Sequence, residues 1–407
     1  MSPTTEAQPS HAMSPADKVR LFGSLFRGRP DVYPKLWINS KKGTKGYSPA
    51  CTNEWVRGVC EKPRVKCGEC PRQAFQPIDD DTILGHLQGR HVIGVYPMLF
   101  DESCWFLAAD FDKGNWMEDV ASFVATCRGH DVPVAVERSR SGNGAHVWFF
   151  FAAPVPAAIA RTMGCFLLTE TMSRHHELPL SSYDRLFPNQ DTMPRGGFGN
   201  LIALPLQRSA RQAGHTLFVD EAWQPLPDQW AFLAGAPRIE PRRVHELAQE
   251  ARDGGRIIGA RNADSATEDD AEPWRRRPSR RTTRPTITAP LPAQVRAVLS
   301  QQLFVEQQGL PSALISEIKR LAAFQNPEFY KKQAMRLSTA LTPRVISCGE
   351  NTPQHVGLPR GCVEDLRELL AAYDVGLSVD DQRDLGTPLD LTFEGQLEPA
   401  QQDAAQD

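Results

Sequence analysis

Apolar runs in the middle of the chain predict buried β-strands, and most of these runs end in polar or charged residues. They cover residues 91–99, 104–112, 132–139, 145–152, 200–206 and 215–220. Residues 155–176 show a pattern that is typical of a helix. The mixture of strands and helices predicts an α+β fold, with one sheet domain over residues 85–245.

The part of the chain before this domain divides into a polar tail and a second region. Residues 1–13 are polar, and we expect them to be disordered. Ser14 and Pro15 favour the start of a helix, with Ser14 as its N-cap and Pro15 in its first turn. Residues 14–84 are therefore expected to contain an N-terminal helix, followed by a segment that carries four cysteines.

The part of the chain after the sheet domain divides in the same way. Residues 246–290 contain an acidic stretch and then an arginine-rich stretch, and they predict a charged flexible linker. The arginines are either a solvated tether or a contact for nucleic-acid phosphates. Residues 291–407 contain two stretches with helical spacing, which predict a mainly α-helical C-terminal module.

Length and composition agree with a globular protein of more than one domain. The chain has 407 residues, of which 41% are hydrophobic and 23% charged, and its formal net charge is -3. It has no apolar run of eighteen residues, and its N-terminus lacks the apolar core of a signal peptide. We therefore expect no contact with a membrane and a cytoplasmic, reducing location.

Four of the nine cysteines fall within twenty residues, at Cys51, Cys60, Cys67 and Cys70. In a reducing compartment such a cluster favours a metal site over disulfides. The close pair Cys67 and Cys70 has the spacing of a zinc knuckle, whereas the first two spacings are longer than in a common zinc ribbon. We expect a structural Zn²⁺ that supplies folding free energy to this basic segment.

Two acids stand at the end of the run 104–112, as Asp110 and Asp112. On a strand, residues two positions apart point to the same face, so their carboxylates repel each other unless a cation lies between them. Mg²⁺ or Mn²⁺ would suit these oxygen ligands, and two such ions can catalyse transfer of a nucleotide. The alternative is a strand end with solvated acids.

A glycine-rich loop lies between the runs 132–139 and 145–152. Its glycines permit positive φ and a close approach of the backbone to a ligand, and its amides and arginines could bind phosphate. The alternative is a simple β-hairpin, since the same residues favour a tight turn. The candidate nucleotide-binding residues are Arg138, Arg140, Ser141, Gly142, Asn143, Gly144 and His146.

The order of these motifs resembles that of the archaeo-eukaryotic primase superfamily: D-x-D, then small-x-His, then a third acid. The stretches "FLAADFDKGNW", "ERSRSGNGAHVWFFF" and "SYDRLFPNQDTMPRGGFGNLIALPLQ" resemble the primases of TOTE conflict systems in particular. The resemblance implies an RRM-like catalytic core with a zinc-binding insert. It also implies a template-directed DNA primase-polymerase that uses NTPs or dNTPs.

The resemblance further implies roles for individual residues. Asp110 and Asp112 would bind the metal ions, and His146 would hold the phosphates of the incoming nucleotide. The third acid would be Asp184, with Asp191 as the other candidate. Two further residues, Gln207 and Arg208, are candidates for contact with template or nucleotide.

The resemblance also implies partners. These are a single-stranded DNA template and a superfamily 2 helicase, which would be supplied in cis or in trans because the chain has no ATP-binding motif of its own. Two other functions stay open from the residues alone. One is a non-catalytic, zinc-dependent nucleic-acid-binding module, and the other is a metal-dependent nuclease.

Overall fold

The computed structural model describes residues 13–112, 114–261, 284–384, 386, 394–399 and 401–402. Within these residues the α-helices are α1 Pro15–Leu25, α2 Asp80–Gln88, α3 Trp116–Gly129, α4 Ala157–Arg174, α5 Arg208–Gln212, α6 Gln229–Ala234, α7 Pro241–Asp253, α8 Ser312–Leu321, α9 Pro327–Ala334 and α10 Val363–Ala371. A 3₁₀-helix covers Leu180–Asp184. None of the described helices is long and apolar enough to cross a membrane.

The strands fall into five sheets. The strands are β1 Pro34–Asn39, β2 Thr44–Pro49, β3 Gly94–Val95, β4 Ser103–Phe111, β5 Ala135–Arg138, β6 Ala145–Pro156, β7 Leu186–Phe187, β8 Ile202–Ala203, β9 Gln294–Leu299, β10 Leu303–Glu306, β11 Ala323–Gln325, β12 Val345–Ser347, β13 Glu350–Asn351, β14 His355–Leu358 and β15 Gly376–Asp381. Strands β1 and β2 form a two-stranded ribbon, and β3–β8 and β11–β12 form two small pairs.

The central sheet has four antiparallel strands in the order β5-β6-β4-β7. One face packs against α3, α4 and α7, and the other packs against α1 and α2. Because both faces are covered, successive residues of β4 and β6 are buried on opposite sides. This explains why those strands appear in the sequence as continuous apolar runs. The predicted strands at 104–112, 132–139 and 145–152 and the predicted helix at 155–176 are confirmed.

The N-terminal helix also follows the prediction. Ser14 is the N-cap of α1, and its hydroxyl accepts a hydrogen bond from the Asp17 backbone N–H at 3.2 Å. Phe22 of this helix is fully buried beneath the central sheet, which anchors α1 to the domain. The predicted disordered residues lie outside the described part of the chain, apart from Met13.

The weaker strand predictions were only partly correct. Residues 91–99 and 200–206 contribute only β3 and β8, which pair with each other. Residues 215–220 form no regular strand and make only isolated bridges through Phe218 and Val219. Each of these stretches is interrupted by proline or turn residues or is very short, so the apolar residues pack on the sheet without extending it.

The predicted boundaries after residue 245 need correction. Helix α7 continues to Asp253, and Ile258 and Ala260 are buried in the core of the central domain, so residues 246–261 are not a flexible linker. The arginine-rich stretch at 274–285 lies outside the described residues except for its last two positions. The tether and the nucleic-acid contact therefore both stay predictions.

Over residues 291–384, which the structure describes, the C-terminal module is not mainly helical. Its centre is a five-stranded sheet in the order β13-β14-β10-β9-β15, in which β15 runs parallel to β9 and the other neighbours are antiparallel. Helices α8 and α10 pack on this sheet. The signal for β9 was present in the sequence, because alternate residues of Gln294–Leu299 are buried, but the helical spacing of the neighbouring stretches dominated the prediction.

The C-terminal module packs directly on the central domain. Arg320 of α8 is 4% exposed, and its guanidinium donates to the Tyr183 hydroxyl at 3.0 Å. The same hydroxyl donates to the Ile258 carbonyl at 3.0 Å. Since Tyr183 precedes Asp184, this buried contact fixes the position of one candidate acid.

Candidate active site

Strands β4 and β6 bring three of the predicted residues together. In the antiparallel register, Asp110 lies opposite His146, and His146 Nε2 is 3.7 Å from Asp110 Oδ1. Asp112 follows the last residue of β4, two positions after Asp110. The acids and the histidine therefore stand at one end of the sheet, on the face that also carries Trp148.

A guanidinium lies between the two acids. Arg185 Nη1 is 3.4 Å from Asp110 Oδ2 and 3.1 Å from Asp112 Oδ2. The position of Arg185 follows from β7, which brings its backbone beside β4, so that the Asp110 N–H donates to the Arg185 carbonyl at 2.9 Å. The repulsion expected between these carboxylates is therefore offset in this structure by an arginine side chain.

Burial controls the charge state of Asp110. It raises the pKa of this carboxyl above its ordinary value, an effect that the charges of His146 and Arg185 oppose. Burial by itself would lower the pKa of His146, but the charges of Glu137, Asp110 and Asp112 outweigh it and raise the pKa. The site thus holds a histidine whose cationic form is favoured among carboxylates.

Glu137 is a buried carboxylate beside His146 that was not among the predicted nucleotide-binding residues. It lies opposite His146 across the hairpin, and its side chain is 1% exposed. Its Oε2 accepts hydrogen bonds from His146 Nδ1 and Trp148 Nε1, both at 2.9 Å. The signal was available, because a six-residue loop closed by Arg138 and Ala145 places residue 137 opposite residue 146.

The glycine loop is a hairpin, as one of the two readings predicted. The backbone N–H of Ser139 donates to the Gly144 carbonyl at 2.8 Å, and Arg138 Nε donates to the Gly142 carbonyl at 3.2 Å. A Cβ at Gly144 would lie 2.4 Å from the Phe111 carbonyl oxygen, so only glycine lets the loop cross the end of β4. The crossing places the loop beside Asp112.

The remaining loop residues are held by local contacts. Gly142 has a φ of 78°, and a Cβ there would meet the His215 ring at 2.4 Å. The Asn143 N–H donates to the Ser141 hydroxyl at 3.2 Å. Arg140 is near Tyr47 of β2, and its charge opposes the rise in the pKa of the phenol that burial causes.

The candidate third acids lie in different surroundings. Asp184 ends the 3₁₀-helix, and its Oδ1 accepts a hydrogen bond from the Arg344 N–H at 2.8 Å. Burial raises the pKa of Asp184, while Arg344 and Arg185 oppose this effect. Arg185 is therefore a charged neighbour of Asp184 as well as of Asp110 and Asp112.

Asp191 is enclosed by partners of its own. Both of its oxygens contact the Arg161 guanidinium, and Oδ2 also accepts from Gln333 Nε2 at 2.8 Å. Burial alone would raise the pKa of Asp191, but the charge of Arg161 outweighs it and lowers the pKa. No oxygen of Asp191 is left without a protein partner in this arrangement.

The two candidates for contact with template or nucleotide, Gln207 and Arg208, lie apart from the acids. Gln207 is 3% exposed, and its side chain caps α5 by accepting from the Ala210 N–H at 3.0 Å. Arg208 is the exposed first residue of the same helix. We find neither residue in contact with Asp110, Asp112 or His146 among the described contacts.

The two predicted metal sites differ in how well the residues fit. Asp110 and Asp112 fit a cation, as Arg185 demonstrates, but Asp184 is turned to Arg344. Cys51, Cys60, Cys67 and Cys70 line one small cavity of about 30 Å³, and the Arg72 N–H donates to Cys70 Sγ at 3.4 Å. Within the described residues, no group of three or more His, Cys, Asp or Glu side chains is arranged to hold a metal ion.

Comparison with known sequences identifies the family. The sequence profile of the TOTE conflict system, archaeo-eukaryotic primase domain, matches residues 17–247, which is more than half of the chain. The chain belongs to this family. It therefore carries a primase-type domain of the nucleotidyltransferase class, as the order of its motifs predicted.

The other comparisons add little to this result. No curated protein matches the chain. Among solved structures, the polymerase domain of Ligase D from Mycobacterium tuberculosis, in complex with DNA, is similar at 14% identity and a TM-score of 0.27. That match covers 60% of this chain and 90% of the other. A TM-score of this size carries no structural argument.

Proposed function

We propose that this chain is a template-directed DNA primase-polymerase that works in the cytoplasm on a single-stranded DNA template with NTPs or dNTPs. One observation carries the proposal: Asp110, Asp112 and His146 meet at the end of two paired strands, beside a glycine loop that crosses the same strand end. Placing a buried carboxylate beside another carboxylate costs stability, and a module that only binds nucleic acid does not need such a pair. The arrangement therefore favours catalysis over binding alone.

Asp110 and Asp112 are the residues that would hold divalent ions, Mg²⁺ or Mn²⁺, with Asp184 as the third acid. Bound ions would activate the attacking hydroxyl and neutralise the triphosphate. Asp184 can join them if its hydrogen bond to the Arg344 N–H is exchanged, since Arg185 already links the three acids electrostatically. Asp184 fits this role better than Asp191, whose oxygens are both occupied.

His146 and the loop would bind the triphosphate. Because Nδ1 of His146 is committed to Glu137, Nε2 is the ring atom left to contact a phosphate oxygen. Glu137 is a positioning residue, since it acts through His146. The loop amides, Arg138 and Arg140 would supply further contacts to phosphate.

Synthesis on a single-stranded template tests the proposal. The purified chain is incubated with labelled nucleotides and Mg²⁺ or Mn²⁺, with and without a primer, beside the Asp110→Ala and Asp112→Ala variants. We expect template-dependent products from the wild type only. Cleavage of the template without synthesis would overturn the proposal in favour of a nuclease, and tight binding with no extension of a supplied primer would favour a binding module.

We further propose that Cys51, Cys60, Cys67 and Cys70 hold a structural Zn²⁺. The shared cavity and the N–H donor to Cys70 support this, because such donors stabilise thiolate ligands. The test is the zinc content of the purified protein. Cys67→Ser should lose the ion and Cys348→Ser, at an exposed cysteine elsewhere, should keep it; equal zinc content in both variants would contradict the site.

A superfamily 2 helicase, in cis or in trans, is the partner that family resemblance supports. A pull-down of the chain with a superfamily 2 helicase from the same organism, repeated without nucleic acid, tests this partnership. Recovery that depends entirely on nucleic acid would argue against a direct contact.

A further inference from the structure

A groove of about 760 Å³ lies next to the candidate active site. One wall consists of the β1–β2 ribbon and the cysteine segment, residues 51–70. The second wall is the loop at 189–200, and the third is the chain at 337–340. The first two walls touch through their backbones, because a Cβ at Gly68 would lie 1.4 Å from the Gly196 carbonyl oxygen.

Two tryptophans line this groove with their rings exposed to solvent. Trp37 of β1 is 44% exposed and Trp55 of the cysteine segment is 69% exposed. Trp37 lies opposite Gly46 in the ribbon, and a Cβ at Gly46 would come within 2.7 Å of the indole. The glycine therefore leaves room for the ring to lie across the ribbon. Exposed aromatic rings of this kind mark an interaction surface, since they are costly to leave in water.

The charge of the ribbon indicates which class of ligand would bind. Its residues 34–49 include four lysines and no acidic residue. Lys66 and Arg195 add positive charge along the groove, and both are exposed. Lys62 contributes less, because it pairs with Glu54 at 2.8 Å. Glu54 and Glu69 also line the groove, and Lys62 lies over the Trp55 ring, 5.7 Å from its centroid. Exposed aromatic rings together with cations are the combination that binds single-stranded nucleic acid, through base stacking and phosphate contacts.

The groove reaches the candidate active site at two points. Tyr47 lines it and is near Arg140 of the glycine loop. Asn189 lines the opposite wall, and its carbonyl accepts a hydrogen bond from the guanidinium of Arg344, whose N–H holds Asp184. A strand lying in the groove would therefore pass between the loop and the third candidate acid.

We propose that this aromatic groove binds the single-stranded template, with unpaired bases stacked on Trp37 and Trp55 and the backbone phosphates contacted by Lys66 and Arg195. The proposal rests on the proposed function for the identity of the strand as template. The groove favours an unpaired strand over a duplex, because the faces of paired bases are covered by their neighbours. It favours nucleic acid over an acidic protein segment, because exposed indole rings stack on bases, whereas an acidic segment offers them no flat partner.

Binding of a labelled oligothymidylate, measured by fluorescence anisotropy with chelator and without nucleotide, tests the groove. Trp37→Ala and Trp55→Ala should each weaken binding by about 5-fold or more, from the usual contribution of one stacked base. Phe100→Ala is the matched control, because Phe100 is 68% exposed and lies outside the groove. It should bind like the wild type. Thermal unfolding of each variant checks that the fold is kept, because Lys62 lies over Trp55 and Arg29 over Phe100 in the wild type.

Three outcomes would overturn the proposal that this groove binds the template. They are wild-type affinity in the Trp37→Ala/Trp55→Ala double variant, an equal loss in Phe100→Ala, and equal affinity of the wild type for a duplex of the same length. The result is separable from the proposed function. If the double variant binds like the wild type and synthesis is normal, the groove proposal fails and the polymerase proposal stands. If the double variant loses binding but the wild type makes no product, the polymerase proposal fails and the groove proposal stands.

Discussion

Two arginine–carboxylate contacts in this domain differ in how fully the arginine compensates the charge of the acid. Arg161 and Asp191 form a closed ion pair: the guanidinium contacts both carboxylate oxygens of Asp191, and the Gln333 side chain adds a third hydrogen bond. Arg185 instead divides its charge between Asp110 and Asp112, at 3.4 and 3.1 Å, and leaves Asp112 40% exposed. The first contact satisfies its acid, and the second leaves two acids sharing one cation.

The difference teaches where chemistry is to be expected. A satisfied buried ion pair contributes to the fold but has no free oxygen to offer a ligand. Two carboxylates that share one cation are under-compensated, and such sites are where ligands and metal ions bind. The pKa values follow the same division, because burial raises the pKa of Asp110 whereas Arg161 keeps the pKa of Asp191 low.

The largest expected effect is on synthesis. Asp112→Asn should reduce template-dependent incorporation by at least about 100-fold, because it removes charge at the reacting centre. Asp191→Asn, once folded, should stay within about 10-fold of the wild type, since a residue at a distance acts only through positioning. Initial rates of primer extension check both. Equal losses in the two variants would erase the distinction between the sites.

The next effect is on stability. Asp191→Asn should lower the free energy of unfolding by about 3 kcal/mol, because it leaves Arg161 buried without its counter-charge. Asp112→Asn should change it little, because the lost contact with Arg185 is partly exposed and is offset by the relief of repulsion with Asp110. Urea denaturation at neutral pH with chelator measures both. If Asp112→Asn lowered the free energy of unfolding and Asp191→Asn did not, the two contacts would have the opposite roles to those assigned here.

Acid should reduce the difference between the wild type and Asp191→Asn. The pKa of Asp191 is lowered in the folded chain from its ordinary value of 3.8. Its ion pair therefore contributes fully above that value, and the contribution is lost as the pH falls through the folded pKa. The same denaturation series at decreasing pH checks this. A gap that widens towards acid would contradict the ion pair.

The smallest effect concerns Glu137, a third buried carboxylate whose partner is a histidine. Glu137→Gln keeps the shape of the side chain but removes its charge, and we expect about a 10-fold loss of incorporation, mainly as a higher KM for nucleotide. Trp148→Phe is the control, because it removes the other donor to the same oxygen and leaves His146 in place. An equal effect of both variants on KM would indicate a structural role only.

Local patterns in the sequence were sufficient to predict the strands that carry the candidate site. Each strand is marked by an apolar run, and its end by a charged or glycine-rich stretch. The expectation that Asp110, Asp112 and His146 form one site came instead from the resemblance to the primase superfamily. The N-cap at Ser14 was predictable from the local pattern, because cap and partner are three residues apart.

Long-range contacts were not predictable in this way. Arg344 reaches Asp184 across 160 positions, and no local pattern marks either residue as the partner of the other. Arg185 follows a short 3₁₀-helix, where the sequence indicates neither its neighbours nor its position between two acids. The exposure of Trp37 and Trp55 likewise depends on how the ribbon and the cysteine segment pack, not on their own sequences.

Binding of Mn²⁺ to the protein without nucleotide tests the central claim most directly. Electron paramagnetic resonance counts the bound ions in the wild type, Asp110→Asn and Asp191→Asn. We predict that Mg²⁺ competes for the site, that Asp110→Asn loses it, and that Asp191→Asn keeps it. Equal Mn²⁺ binding by all three proteins would contradict the assignment of Asp110 and Asp112 as the metal-binding acids.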